Sequence, residues 1–359
     1  MRAEYTEEQG LLRETLSRLL ADAYDFETRR ALAGTAEGWS RDLWSSLAEL
    51  GLLAALAPED ADGLGGGGVE AMLIAEALGA ALSAEPYAPT AAVAAPVLAA
   101  AGRSEAVASL ISGEGIAAWV DAGGITVRDG ALYGAALSQP WADTADHLLI
   151  AAEGADGATL VWLSADQPGV TRRAHRTFDG LAAADLTFEG AALADDAIVA
   201  SGAAAEALIG EARARTIAWL AAEATGLMDM ALTATVEHLK SRVQFGQTLA
   251  GFQALQHRAA EMLIALEQGR SAAILAAGAL SEPDARRRAL DLASAKLVVS
   301  DAARTVAQAA VQLHGGIGVT EEHKIGWAFR RLTMIEHLCG DADVHAARLA
   351  DLGGYVDAD

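Results

Sequence analysis

Two short segments carry the residue types that recognition of an anionic ligand would need. The first is Arg242-Val-Gln-Phe-Gly-Gln-Thr-Leu-Ala-Gly-Phe-Gln-Ala-Leu-Gln-His257. It joins two long helical stretches, so Gly246 to Gly251 form a turn bearing one cation, several amides and an aromatic ring. An arginine fork donates charge-assisted hydrogen bonds to phosphate oxygens, which suits a pyrophosphate. The second is Gln312-Leu-His-Gly-Gly-Ile-Gly-Val-Thr-Glu-Glu322. A helix ends near His314, and Gly315 and Gly316 allow a left-handed turn with close backbone approach to a ligand. Taken singly, each segment also fits a bland reading: a helix connection with an exposed Arg, or a glycine helix stop. His314 suits either a ligand hydrogen bond or a structural place at the helix end.

Other chemistry is not indicated. Gly65 to Gly68 lack the following Lys-Ser/Thr of a phosphate loop, and Gly315, Gly316 and Gly318 do not fit G-x-G-x-x-G because position 321 is Glu. No His/Cys/Asp cluster has zinc spacing, so no metal site is expected. No G-x-S-x-G occurs.

The elements that must position these segments follow from periodicity. Leu11, Leu12, Leu16, Leu19 and Leu20 recur at helical spacing, as do Trp44, Leu47, Leu50 and Leu53. The glycine run from Gly63 to Gly68 predicts a loop, Val69 to Leu82 a helix, and alanine-rich helices continue to about Ile111. Between 115 and 200 the pattern changes to short β-branched or alternating runs: Ile116 to Val120, Gly124 to Val127, His147 to Ala151, Thr159 to Leu163 and Ala184 to Phe188. These predict a small β domain of about six to eight strands, without the helical crossovers of a parallel sheet. Long helices return at Ala205 to His238, Leu255 to Leu280, Pro283 to Leu313 and Trp327 to Leu338, the pattern of a four-helix bundle. The expected fold is α+β and mostly α. It comprises an N-terminal helical domain (1–112), a middle β-barrel or sandwich domain (113–202) and a C-terminal helical bundle (203–359).

Composition narrows the partners. The 359 residues carry a net charge of −23, with 26 Lys and Arg against 49 Asp and Glu. That argues against nucleic acid, whose binding needs cations to displace counterions, and against an anionic membrane surface. It leaves room for a small anionic ligand held by a local cluster of cations. The single cysteine, Cys339, precludes a disulfide framework and fits a reducing cytoplasm. The N-terminal run MRAEYTEEQG lacks the apolar core of a signal peptide, and no membrane span is expected.

Together the two segments resemble the C-terminal domain of acyl-CoA dehydrogenases. The shared pattern is R-x-Q-F-G-x-x-L-x-x-F-Q-x-x-Q-H, followed about 55 residues later by Q-L-H-G-G-x-G-x-T. Leu50-Gly-Leu, Pro58-Glu-Asp and Gly63-Leu-Gly are similar to the family's N-terminal domain, and Arg176 to Phe188 resembles the end of its middle domain. In that family the flavin ring sits in one subunit while the adenosine diphosphate end of FAD crosses to the bundle of its neighbour. The resemblance implies that Arg242, Gln244, Phe245, Leu249, Gln253, Gln312, Gly315 and Gly316 touch that end.

Three departures stand against the match. Family members remove the proton α to the thioester with a Glu, which must sit within hydrogen-bond reach. Here Cys339, in Leu338-Cys-Gly-Asp341, takes the usual Glu place. Thr216, 26 residues before Arg242, takes the alternative one. Glu211 and Glu223 are out of register, Glu223 by about two helical turns or roughly 10 Å. The T-E-P-x-x-G-S-D segment has no counterpart, and W-I-T is replaced by Ser138-Gln-Pro140, with Trp141 three residues off.

What is missing serves a flavin held in this chain's own cleft and what is kept serves one in a neighbour's, and with these departures the sequence resembles the base-less partner of heterotetrameric, steroid side-chain type acyl-CoA dehydrogenases. The implied partners are a homologous subunit carrying the Glu, an acyl-CoA and an electron-transferring flavoprotein. The implied assembly is α2β2 with two flavins. Cys339 acting as a base would need a thiol pKa lowered by a neighbouring cation, with His337, Arg330 and Arg331 near in sequence. The alternatives are a self-sufficient homotetramer with an unrecognised base, a flavin-dependent monooxygenase on the same fold, and a scaffold that has lost flavin.

Overall fold

A computed structural model describes residues 5–194 and 196–355. The first four residues of the N-terminal run, Asp195 and the last four residues of the bundle range lie outside the described residues. Along the chain come α1 (Glu7–Ala23), α2 (Phe26–Ala33), α3 (Arg41–Glu49), α4 (Gly68–Ala80), a π-helical stretch (Ala88–Ala94) running into α5 (Ala95–Ala100), and α6 (Ser104–Ile111). Eight strands follow: β1 (Ala117–Val120), β2 (Thr126–Arg128), β3 (Ala131–Pro140), β4 (His147–Gly154), β5 (Gly157–Ser164), β6 (Val170–Arg176), β7 (Ala182–Ala192) and β8 (Ile198–Ser201). Then come α7 (Gly202–Ser241), a hairpin of β9 (Val243–Gln244) and β10 (Gln247–Thr248), α8 (Gln253–Ala279), α9 (Ala285–His314), α10 (Lys324–His337) and α11 (Ala342–Asp351). The helical, then β, then helical order is the one expected.

The chain divides into two compact units. One comprises Arg29–Gly66 and Ala84–Thr216. Its sheet runs β6-β7-β3-β2-β4-β5-β8, with β1 paired to β4. The sheet is open, since β6 and β8 end the order without pairing to each other. Only β1 and β2 lie parallel to β4; the remaining pairs are antiparallel. Val97, Leu98, Val107, Leu110, Leu149 and Leu160 form its core, where apolar area leaves water at roughly 25 cal/mol per Å². Trp141 is buried there, and its indole N–H donates to the Ala84 carbonyl at 3.1 Å. Its role is packing, with the polar edge satisfied.

The other unit comprises Met1–Thr28, Gly67–Ser83 and Ile217–Asp359. Alanine and glycine let its helices approach closely. A Cβ on Gly226 of α7 would stand 1.9 Å from the Glu76 carbonyl oxygen of α4, and one on Gly79 of α4 would stand 2.4 Å from the Glu223 carbonyl oxygen of α7. This reciprocal crossing admits nothing larger than glycine. At the centre of the bundle Arg331 of α10 grips Glu223 through two hydrogen bonds, Nε to Oε1 at 2.5 Å and Nη2 to Oε2 at 2.9 Å. The helix ends obey local rules: the Asp284 carboxylate caps α9 by accepting from the Arg287 amide, and Gly315 at φ +67° stops it. Among the described residues no helix is long and apolar enough to cross a membrane, and no group of three or more His, Cys, Asp or Glu is placed to hold a metal.

Candidate functional site

The C-terminal end of α7, the start of α8 and the C-terminal end of α9 enclose a cavity of about 510 Å³. His238, Arg242, Leu249, Leu255, Arg258, Gln312, His314 and Gly315 are among the residues lining it. Arg242, Leu249, Gln312 and Gly315, drawn from both sequence motifs, therefore meet on one surface. Gln244, Phe245, Gln253 and Gly316 do not join this lining and stand exposed beside it. Gln244 and Phe245 lie on the β9–β10 hairpin, where Gln244 pairs with Gln247 around a two-residue turn at Phe245 and Gly246. Both turn residues have positive φ, +53° and +83°, the twist such hairpins need. A bulky Phe in the left-handed region is strained, and its ring is 89% exposed.

Two features of the cavity escaped the sequence reading. Arg258 adds a second cation five residues into α8 beyond Gln253. Among the described residues neither Arg242 nor Arg258 makes an ion pair. Two uncommitted guanidinium groups line one cavity in a chain of net charge −23, so positive charge is concentrated locally there. His238, on the last turn of α7, stands four residues before Arg242, whose amide donates to its carbonyl at 2.9 Å, a spacing that could have revealed it.

The second feature is a cluster of imidazoles. The His314 ring packs 4.5 Å from that of His238 and 4.8 Å from that of His323. Burial, reinforced by the charges of His238, His323 and Lys324, pushes the His314 pKa down to about 4. His238 and His323 are also lowered, each chiefly by burial. Each lowered pKa favours the neutral ring, which supplies hydrogen-bonding atoms rather than charge.

No general base appears at the two expected places. Cys339 is exposed at φ +59°, and its carbonyl faces His345 Nε2 at 3.0 Å. Thr216 donates its hydroxyl to the Ala212 carbonyl of its own helix at 2.8 Å. Glu211 is paired with Arg215 at 2.7 Å, and Glu223 is committed to Arg331. Of the cations near Cys339 in sequence, two are engaged elsewhere. Arg331 is bound to Glu223, and Arg330 pairs with Glu321 and lies over the Trp327 ring. The cation that interacts with Cys339 is instead the buried Lys296, its pKa lowered by desolvation to about 8. Its ammonium group is occupied with Ser300 Oγ and the carbonyls of Glu336 and Gly340.

This arrangement can be set beside known proteins. Residues 6–112 match the N-terminal domain of acyl-CoA dehydrogenases and residues 207–352 match the C-terminal domain. The chain belongs to the acyl-CoA dehydrogenase family. Among its relatives is the acyl-CoA dehydrogenase IpdE2 of Mycobacterium tuberculosis, 32% identical over 90% of this chain and 91% of the relative. Among solved structures it resembles a chain of the ChsE4–ChsE5 complex from the same organism, with a TM-score of 0.90, 25% identity and full coverage of both chains. A chain of the Tcur3481–Tcur3483 steroid ACAD G363A variant aligns with a TM-score of 0.87 and 28% identity, covering 96% of this chain and 97% of that one.

Proposed function

We propose that this chain is the non-catalytic subunit of a heteromeric, FAD-dependent acyl-CoA dehydrogenase of the steroid side-chain type, and that its bundle holds the adenosine diphosphate end of a flavin seated in a homologous catalytic subunit. One observation carries the reading. The cavity with two uncommitted arginines persists, while the usual place of the base holds an exposed cysteine and the nearby carboxylates are paired. Two of the similar structures are complexes of two differently named chains, which supports a heteromer.

The donor set fits the cofactor. Arg242 and Arg258 neutralise the diphosphate, the Gln312 amide and the Gly315 backbone offer neutral hydrogen bonds, and Leu249 and Leu255 offer apolar walls to a base. When bound, FAD supplies acceptance of a hydride from the acyl chain. This chain's residues anchor, and the α-proton goes to a carboxylate of the partner. Gln244, Phe245, Gln253 and Gly316 are assigned to the same ligand from outside the cavity, where the partner subunit would close over the hairpin. Electrons would leave to an electron-transferring flavoprotein through the complex.

Co-expression with a homologous dehydrogenase, followed by native mass and flavin content, tests this. The expected product is an α2β2 complex with two flavins that oxidises an acyl-CoA. In it Arg242→Gln or Arg258→Gln weakens FAD retention by about tenfold or more, as loss of a charged hydrogen bond predicts. A chain that, purified alone, holds stoichiometric FAD and oxidises an acyl-CoA sinks the proposal in favour of the self-sufficient enzyme. Oxygen consumption coupled to reduced flavin would favour the monooxygenase, and a complex without flavin the scaffold.

A further inference from the structure

His314 lines the cavity with its side chain 6% exposed, and its two ring nitrogens are not equivalent. Nδ1 lies 2.9 Å from the carbonyl oxygen of Ala310. A carbonyl only accepts, so Nδ1 must carry the hydrogen. The neutral ring then has no hydrogen on Nε2, which presents a lone pair. That nitrogen is buried and has no hydrogen-bond partner among the described residues. The imidazoles of His238 and His323 pack against the ring, and His314 is among the residues that line the cavity. Leaving a buried acceptor unmet is unfavourable, so a site built this way gains by receiving a donor hydrogen.

The internal diphosphate of a dinucleotide cannot supply that donor; each phosphorus there is fully esterified apart from oxygens that only accept, and these belong with Arg242 and Arg258. The cavity thus has two chemically distinct parts, cationic forks for a diphosphate and a neutral acceptor for something carrying O–H or N–H. We infer that His314 Nε2 accepts a hydrogen bond from the nucleoside part of the ligand, a ribose hydroxyl or the adenine amino group, and so makes the cavity selective for a nucleoside diphosphate over a bare diphosphate. This inference rests on the proposed function, which places an adenosine diphosphate moiety here.

The experiment is titration calorimetry on the full chain with ADP, inorganic pyrophosphate, inosine diphosphate, 2′-deoxy-ADP and 3′-deoxy-ADP. His314→Leu is expected to lower ADP affinity about five- to tenfold, the worth of one hydrogen bond, and to leave pyrophosphate unchanged. His314→Gln, which keeps an acceptor oxygen, should stay within about twofold of the wild type. The analogue lacking the relevant donor should bind like ADP to the Leu variant and be indifferent to the substitution. Inosine diphosphate in that role identifies the amino group; a deoxy analogue identifies the ribose. A second readout needs no variant: the ¹⁵N resonance of Nε2 should move on adding ADP and stay put on adding pyrophosphate. ADP binding that needs Arg242 yet ignores His314→Leu, or an Nε2 resonance equally moved by pyrophosphate, overturns the inference and spares the proposed function. A chain that binds neither ADP nor pyrophosphate overturns both.

Discussion

The ion pair between Glu223 and Arg331 separates a structural carboxylate from a hidden base. Both side chains are about 10% exposed, and the pair is bidentate at 2.5 and 2.9 Å. Removing one partner strands a charge in the bundle, at a cost of about 3–5 kcal/mol. Replacing both by methionine removes the stranded charge along with its partner, and such exchanges are often close to neutral. Glu223→Met and Arg331→Met should therefore each destabilise by about 3–5 kcal/mol. The double variant should fall within about 1–2 kcal/mol of the wild type. Guanidinium denaturation followed by circular dichroism, at one fixed protein concentration, gives the three differences. A double variant as unstable as the sum of the singles would refute the reasoning. The cycle also bears on catalysis. If the double variant assembles normally with its partner and retains flavin but the complex no longer desaturates an acyl-CoA, then Glu223 is a base after all.

Three further outcomes follow from local structure. Glu76 has its pKa raised to about 7, mainly by burial with Asp229 adding to it, against an unfolded value near 4.5. The folded state then holds a proton that the unfolded state releases, so this group's contribution falls as pH rises from about 4.5 to 7. Glu76→Gln should match the wild type at pH 4 and melt higher at pH 8. His314 acts in the opposite sense: its depressed pKa makes stability drain away as pH falls from about 6.5 towards 4, and His314→Gln should flatten that acid limb of the melting curve. Gly226→Ala places a Cβ 1.9 Å from the Glu76 carbonyl and must push α4 and α7 apart, for a loss of about 2–3 kcal/mol in the same denaturation assay.

The bundle was legible because its signal is compositional: alanine-rich stretches at helical spacing, stopped by glycine, admit few other structures. The sheet was legible only where strands alternate or run apolar, as in His147–Gly154. Strand β6, Val-Thr-Arg-Arg-Ala-His-Arg, buries neither face fully and carries no such signal. Strand β3 is interrupted by a register shift near Ser138, itself at φ +49°, which breaks its period of two. In the site, Arg242 and Gln312 were found through their motifs. Arg258 and the imidazole cluster were not, because packing between helices unites them. His323 reaches His314 across a turn of no recognisable spacing.

The turn at Cys339 is held by its backbone rather than by its side chain. Cys339 and Gly340 both have positive φ, a conformation that a non-glycine residue holds only when its surroundings impose it. The imposition is visible: Lys296 donates to the Glu336 and Gly340 carbonyls, His345 Nε2 faces that of Cys339, and Asp341 caps α11 by accepting from the Val344 amide at 3.0 Å. None of these bonds involves the cysteine side chain. The turn should therefore survive Cys339→Ala with stability within about 0.5 kcal/mol. The assembled enzyme should keep its rate of acyl-CoA oxidation across the pH range. A variant that folds and assembles but loses that activity would make the thiol a catalyst and undo the assignment of the base to the partner.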